Sequence, residues 1–204
     1  TVRTSLIVYP ENGRLPATVE GVPRQFDTLG EDTPSTRPVR TLVGGIAKDG
    51  PEDRGLSERC IVGFNSGPPF TPSLYNNNVQ IIQSKNTAVI LTEMIHDARI
   101  IPLGEKPDLS DDIRLWSGDS RGWYEGDTLV VETKNSNGLR QSLNYSFVGT
   151  NSQTVLTEKF TRNSFDSVDY EFTIDDPGTF TDKVTAIIPL TKVAGQLYEY
   201  ACHE

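Results

Sequence analysis

Residues Glu93-Met94-Ile95-His96-Asp97-Ala98-Arg99 set two carboxylates, an imidazole and a guanidinium inside an otherwise apolar stretch. Histidine is the side chain whose unperturbed pKa lies nearest neutrality, which suits it to proton transfer. On an extended chain alternate residues share a face, so Asp97 and Arg99 point the same way. Glu93 and His96 differ in parity unless the chain turns or bulges between them. One arrangement lets Asp97 or Glu93 orient His96 as a general acid/base while Arg99 holds an anionic group. The competing arrangement is a sheet-edge turn whose charges pair with one another in solvent.

A second stretch, Trp116-Ser117-Gly118-Asp119-Ser120-Arg121-Gly122-Trp123-Tyr124-Glu125-Gly126-Asp127, combines aromatics, Arg121 and glycines. Such residues suit a pocket rim, where aromatics supply area and arginine supplies direction. Here Arg121 and Trp123 are candidate substrate contacts and Tyr124 a secondary acid. Asp119 and Arg121 could equally form a structural ion pair. A third stretch runs from Phe64-Asn65-Ser66-Gly67-Pro68-Pro69 to Tyr75-Asn76-Asn77-Asn78. Phe64, Asn76 and Asn78 could contact a polar ligand, or the asparagines could serve as turn formers through Asx hydrogen bonds.

These stretches need a frame, and the pattern around them is β. Strands are expected at 5–9, 79–83, 87–94, 97–103, 122–125, 127–134, 154–162, 168–175, 183–190 and 196–201, with Gly126 at a hairpin turn or a bulge. In 168–175, Val168, Tyr170, Phe172 and Ile174 share one face while Asp169, Glu171, Thr173 and Asp175 share the other. A helix is plausible only at 108–116, capped by Ser110 or Asp111, with one helical turn near 52–57. Residues 10–58 carry Pro10, Pro16, Pro23, Pro34, Pro38 and Pro51 and little periodicity. The expected organisation is an irregular N-terminal arm, 1–58, packed on a β-barrel domain, 59–204. Strands joined by short connections imply a meander that must close or split. The expected fold is therefore all-β, an antiparallel up-and-down (lipocalin-like) barrel, with a sandwich as the alternative. Small barrels often enclose one ligand.

The chain has 204 residues, 28 acids against 19 bases, and a formal charge of −9. It lacks the clustered Lys and Arg that neutralise phosphates, so nucleic acid is not an expected partner. No apolar run approaches the length of a membrane-spanning helix, so insertion into a bilayer is not expected. The first residue is Thr, which reads as a processed or trimmed start. No HxH or HExxH spacing, Gly-rich phosphate loop or G-x-S-x-G elbow is present, so no metal or nucleotide cofactor is expected. A metal built from His96, His203 and a carboxylate would need ligands from separate elements. Cys60 and Cys202 could be two buried thiols or one disulfide. The arm could also swap onto a neighbour and build a homodimer.

The segments GLSERCIVGFNSGPP (55–69), YNNNVQIIQ (75–83), EMIHDARIIPL (93–103), WSGDSRGWYEGDTLVVET (116–133) and YEYACHE (198–204) resemble a family of exported, largely uncharacterised bacterial proteins. The resemblance covers most of 50–204 and is weaker in the arm; the chain stops just short of the family's usual end. It implies a periplasmic or secreted protein and a Cys60–Cys202 bridge, and it supplies no activity or catalytic residues.

The function expected from the residues is an exported small-molecule enzyme using cofactor-independent acid/base catalysis, such as elimination, isomerisation or cyclisation, in a barrel cavity. His96 would transfer the proton, Asp97 or Glu93 would set its tautomer, and Arg99 and Arg121 would bind an anionic or enolate oxygen. The alternative is a carrier of an apolar or aromatic ligand without turnover. A third expectation is an envelope-interaction protein with a filled interior and a contact-making arm.

Overall fold

In a computed structural model the described residues are 4–22, 50–63, 65–137 and 152–201. Among the described residues nine strands form: β1 (Ile7–Tyr9), β2 (Val79–Gln83), β3 (Thr87–Thr92), β4 (Ala98–Pro102), β5 (Asp119–Glu125), β6 (Thr128–Lys134), β7 (Val155–Arg162), β8 (Ser167–Asp175) and β9 (Val184–Thr191). They make a six-stranded sheet, ordered β1-β9-β8-β7-β6-β5, and a three-stranded sheet, β2-β3-β4. Every ladder is antiparallel. The all-β antiparallel expectation therefore holds.

The expected barrel closure is not formed among the described residues. The two sheets meet at a parallel bridge between Leu103 and Gly122, where the Gly104 N–H donates to the Gly122 carbonyl at 2.9 Å. A Cβ on Gly122 would lie 3.0 Å from both Ile101 and Leu103 side chains, so glycine permits this approach. The ladder does not extend further along β4, because Pro102 has no N–H to donate. The sheets instead face one another over a single core. Ala88, Ile90 and Ile101 of the smaller sheet join Leu156, Phe160, Tyr170, Phe172 and Ile174 of the larger. Phe70, Phe160 and Tyr170 stack with ring centroids 4.5–6.1 Å apart, so aromatic side chains fill the space where the barrel reading expected a ligand.

The period-2 reading of β8 is the register observed: Tyr170, Phe172 and Ile174 are buried, and Val168 packs against the same core. Gly126, with φ +60°, turns the β5–β6 hairpin with Asp127, Glu125 pairing with Thr128. Two expected elements do not form. Residues 108–116 make turns, with the Ile113 N–H donating to the Ser110 carbonyl at 2.9 Å and Leu115 bridging Ser136. Pro107 precedes this segment, and a nine-residue helix with one apolar turn is marginal without tertiary support. Residues 196–201 form no strand, since β1 already occupies the edge of β9.

The described parts of the arm pack on the core. Residues 17–19 run beside 179–181, with Thr18 bridging Phe180 and the Val19 N–H donating to the Thr179 carbonyl at 3.0 Å. A 3-10 turn at Pro51–Asp53 leads to Leu56, which is fully buried. Residues 23–49 and 138–151 lie outside the described residues.

Candidate acid/base site

The chain between β3 and β4 turns within Glu93–Asp97. Thr92 closes this turn: its N–H donates to the Asp97 carbonyl at 2.9 Å, and its hydroxyl donates to Met94 and Asp97 carbonyls at 3.3 Å each. Met94 and Ile95 are buried and anchor the turn. The sharp reversal forces Ile95 and His96 into the left-handed region, with φ of +52° and +55°. A β-branched residue there is a genuine outlier. Strain of this kind costs on the order of 1–3 kcal/mol and gathers at functional sites.

The turn carries His96 outward to solvent rather than into a cavity, which corrects the expectation of an enclosed histidine. Among the described residues its ring makes no hydrogen bond to Glu93 or Asp97, so neither sets its tautomer here. Glu93 is occupied elsewhere: its Oε2 accepts the Asn78 N–H at 3.1 Å, and its own N–H donates to the Asn78 carbonyl at 2.9 Å. This reciprocal pair ties the start of β2 to the turn. Asp97 is half-buried, and burial pushes its carboxyl above the ordinary range. The Ala98 amide and the Arg99 charge pull in the other direction without cancelling that effect.

Arg99 is not open to a ligand. Its side chain is 9% exposed and crosses from β4 to β7, where Nη1 and Nη2 donate to Glu158 Oε2 and Oε1 at 2.6 and 3.0 Å. The Tyr170 hydroxyl donates to Glu158 Oε1 at 2.7 Å. Burial would lower the Arg99 pKa, but Glu158 outweighs it and the net direction is upward. Burial, and next the Glu158 charge, push the Tyr170 hydroxyl well above its usual value, so it stays neutral and donates. A guanidinium aimed at a substrate would have to leave a carboxylate desolvated in the core, which is far costlier than the gain.

Arg121 lies apart from the Glu93–Asp97 turn, in a pocket of about 200 Å³ lined by Lys106, Asp108, Asp119, Glu132, Lys134 and their neighbours. Arg121 donates to Glu132 Oε1 from Nε at 3.1 Å and from Nη2 at 2.6 Å, and to Asp108 from Nη1 at 3.0 Å. Asp119 pairs with Lys106 rather than with Arg121. Burial would raise the Glu132 carboxyl, yet Lys134 and Arg121 prevail and hold it below its ordinary value. Trp123 is half-buried, and its Nε1 donates to Glu125 at 3.0 Å. Tyr124 is exposed, its hydroxyl accepting from Gln83 at 2.6 Å. It therefore stands apart from the turn.

Asn76 has φ +54°, and its carbonyl, with that of Tyr75, accepts from the buried Asn65 amide at 3.1 and 3.3 Å. Asn76 thus shapes the loop, and Asn78 joins the Glu93 turn through its backbone. Phe64, Cys202 and His203 lie outside the described residues. Cys60 is not a free thiol. Among the described residues no group of three or more His, Cys, Asp or Glu could hold a metal ion.

Glu158 and Tyr170 were not singled out by sequence as partners of Arg99. One signal was available: Leu156, Glu158 and Phe160 alternate on the inward face of β7, which puts a charge where a hydrophobe is expected. The chain matches no family model, no characterised protein and no solved structure.

Proposed function

We propose that this protein is an exported small-molecule enzyme that uses acid/base chemistry at the Glu93–Asp97 turn, on the surface beside the three-stranded sheet rather than inside a barrel. The observation that supports it is the coincidence of two features on one turn. Consecutive left-handed residues, one of them β-branched, are held by buried anchors, and beside them a carboxyl is held above its ordinary range by burial. Backbone strain and perturbed acids both gather at reacting sites, and this turn carries the two together. In this reading Asp97 donates or accepts the proton and His96 is the second proton-transfer group. Substrate approaches from the solvent side of the turn, and neither a metal nor a nucleotide is required.

Export, a periplasmic or secreted location and a Cys60–Cys202 bridge belong to the same proposal, on the resemblance of the motifs. A carrier is the second reading. Aromatic side chains occupy the core, and the pocket around Arg121 is lined by charged side chains, so a ligand carried there would be polar rather than the apolar one expected from sequence.

A panel of small eliminations and isomerisations, assayed with wild type, Asp97→Asn and His96→Gln, tests the enzyme reading. A substrate turned over by wild type should lose about 10²–10⁴-fold in rate with Asp97→Asn. Turnover unchanged in both variants would sink it.

A further inference from the structure

We propose that β2 is the docking edge for a second copy of this chain, the two β2 strands pairing antiparallel about a twofold axis between their Ile82 residues. The inference is independent of the chemistry proposed for the turn. It begins with the backbone of the ladder. At one end of β2 the Glu93 N–H donates to the Asn78 carbonyl at 2.9 Å, and at the other the Ser84 N–H donates to the Thr87 carbonyl at 2.8 Å. Hydrogen-bonded positions alternate along an antiparallel pair, so Gln80 and Ile82 also turn their backbone groups toward β3. Val79, Ile81 and Gln83 turn theirs away. Among the described residues none of those N–H and C=O groups has a backbone partner.

The other edges are guarded and this one is open. β1 is three residues long and runs into Pro10. β4 ends in Pro102, and β5 carries Asp119, Arg121 and Glu125. Short strands, prolines and charges are the usual means of keeping an edge from pairing with another chain. Val79-Gln80-Ile81-Ile82-Gln83 carries neither charge nor proline, and its ladder with β3 runs without a bulge.

An uncharged extended strand fits such an edge, and β2 is itself one. Chains of formal charge −9 repel one another over much of their surface, which favours a meeting through an uncharged strand. With the axis at Ile82, Ile81 lies opposite Gln83 of the second copy and Gln80 opposite its Ser84, so no like charges meet. The free backbone groups of Ile81 then exchange hydrogen bonds with those of Gln83. Ile82 faces Ile82 of the second copy at a non-hydrogen-bonded position, where opposing side chains stand closest. On each copy Ile82, Val89 and Ile100 form one row across the outer face, with Ile82 49% and Ile100 67% exposed. This register joins the two rows into one apolar band across both three-stranded sheets. An axis one residue earlier would set Ile82 against Gln80 and break the band.

One strand pair is a small interface, so the dimer should form only as concentration rises. The test is sedimentation equilibrium of the full chain from micromolar to millimolar concentration, with amide hydrogen exchange on the same samples. The mass should approach twice that of one chain, and exchange at Ile81 and Gln83 should slow in proportion to the fraction dimerised. Ile82→Lys sets like charges opposite one another across the axis and should stay monomeric throughout. Ile100→Lys, at the far end of the row, should dimerise as wild type does. Should Ile82→Lys fail to fold, Gln83→Pro decides, since it removes the donor to the Ile81 carbonyl and spares the bonds to β3. It too should remain monomeric. A wild type that stays monomeric at millimolar concentration overturns the proposal, whatever foreign peptide the edge then accepts. A dimer that persists in Ile82→Lys or Gln83→Pro, or that protects amides elsewhere and not Ile81 and Gln83, overturns it as well.

Discussion

Asp97 works against the stability of the fold that holds it. Its carboxyl is raised in the folded state, chiefly by burial, so between the ordinary carboxylate range and that raised value the folded chain keeps a proton the unfolded chain has lost. Stability then falls as pH rises through this window, and the full penalty is present above it. Asp97→Asn should therefore melt at higher temperature than wild type near pH 7. The advantage should vanish below about pH 4, where both forms of wild type are protonated. A thermal melt of each protein across that range checks it, and equal melting at every pH would remove the perturbed-acid argument. The shared face of Asp97 and Arg99 was legible from spacing alone. The destination of Arg99 was not, because Glu158 lies on a distant strand and only the fold brings the two together.

At the level of elements, the three-stranded sheet is apolar on both faces. Ala88, Ile90 and Ile101 point into the core, while Ile82, Val89 and Ile100 stand in one row across the outer face. Ile100 is 67% exposed and Ile101 fully buried, although they are neighbours of the same chemistry. Ile101→Ala should cost about 2–5 kcal/mol in a denaturant titration. Ile100→Ser should stay within about 0.5 kcal/mol of wild type. Comparable losses would mean the outer face is packed in solution. Strand positions were readable because alternation and turn residues agreed at most of them. Residues 196–201 misled because a strand-like pattern says nothing about whether a free edge remains to receive it. Residues 108–116 misled because one apolar turn cannot hold a helix without a surface to bury it.

The whole molecule is a wrap of two antiparallel sheets over an aromatic core, and this explains why the all-β class was readable but closure was not. Closure needs β4 to run along β5 and β2 to pair with β1; here Pro102 and Gly122 reduce the first to one bridge, and no ladder joins β1 to β2 among the described residues. No local pattern in the sequence reports that count. The same limit applies to the site. The turn residues were identifiable by type, whereas their orientation depended on a reversal at Ile95 and His96 that strands drawn straight through could not show.

The pairing of β1 with β9 sets an order of assembly. Ile7 lies opposite Ala186, and the Ile187 N–H donates to the Leu6 carbonyl at 2.9 Å, so the outermost strand of the large sheet waits for β9, far along the sequence, to be in place. The β5–β9 meander pairs strands that follow one another, but β1 must find its place across the long loop that separates it in sequence from β9. Native-state hydrogen exchange should place the Ile187 amide among the readily opened sites and those around Phe160 and Tyr170 among the last to open. A chain shortened through Tyr9 should lose protection at Ile187 and keep it at the centre. The first strand then acts as a late fastener, and until it docks the growing molecule presents an unpaired β9 edge to its surroundings.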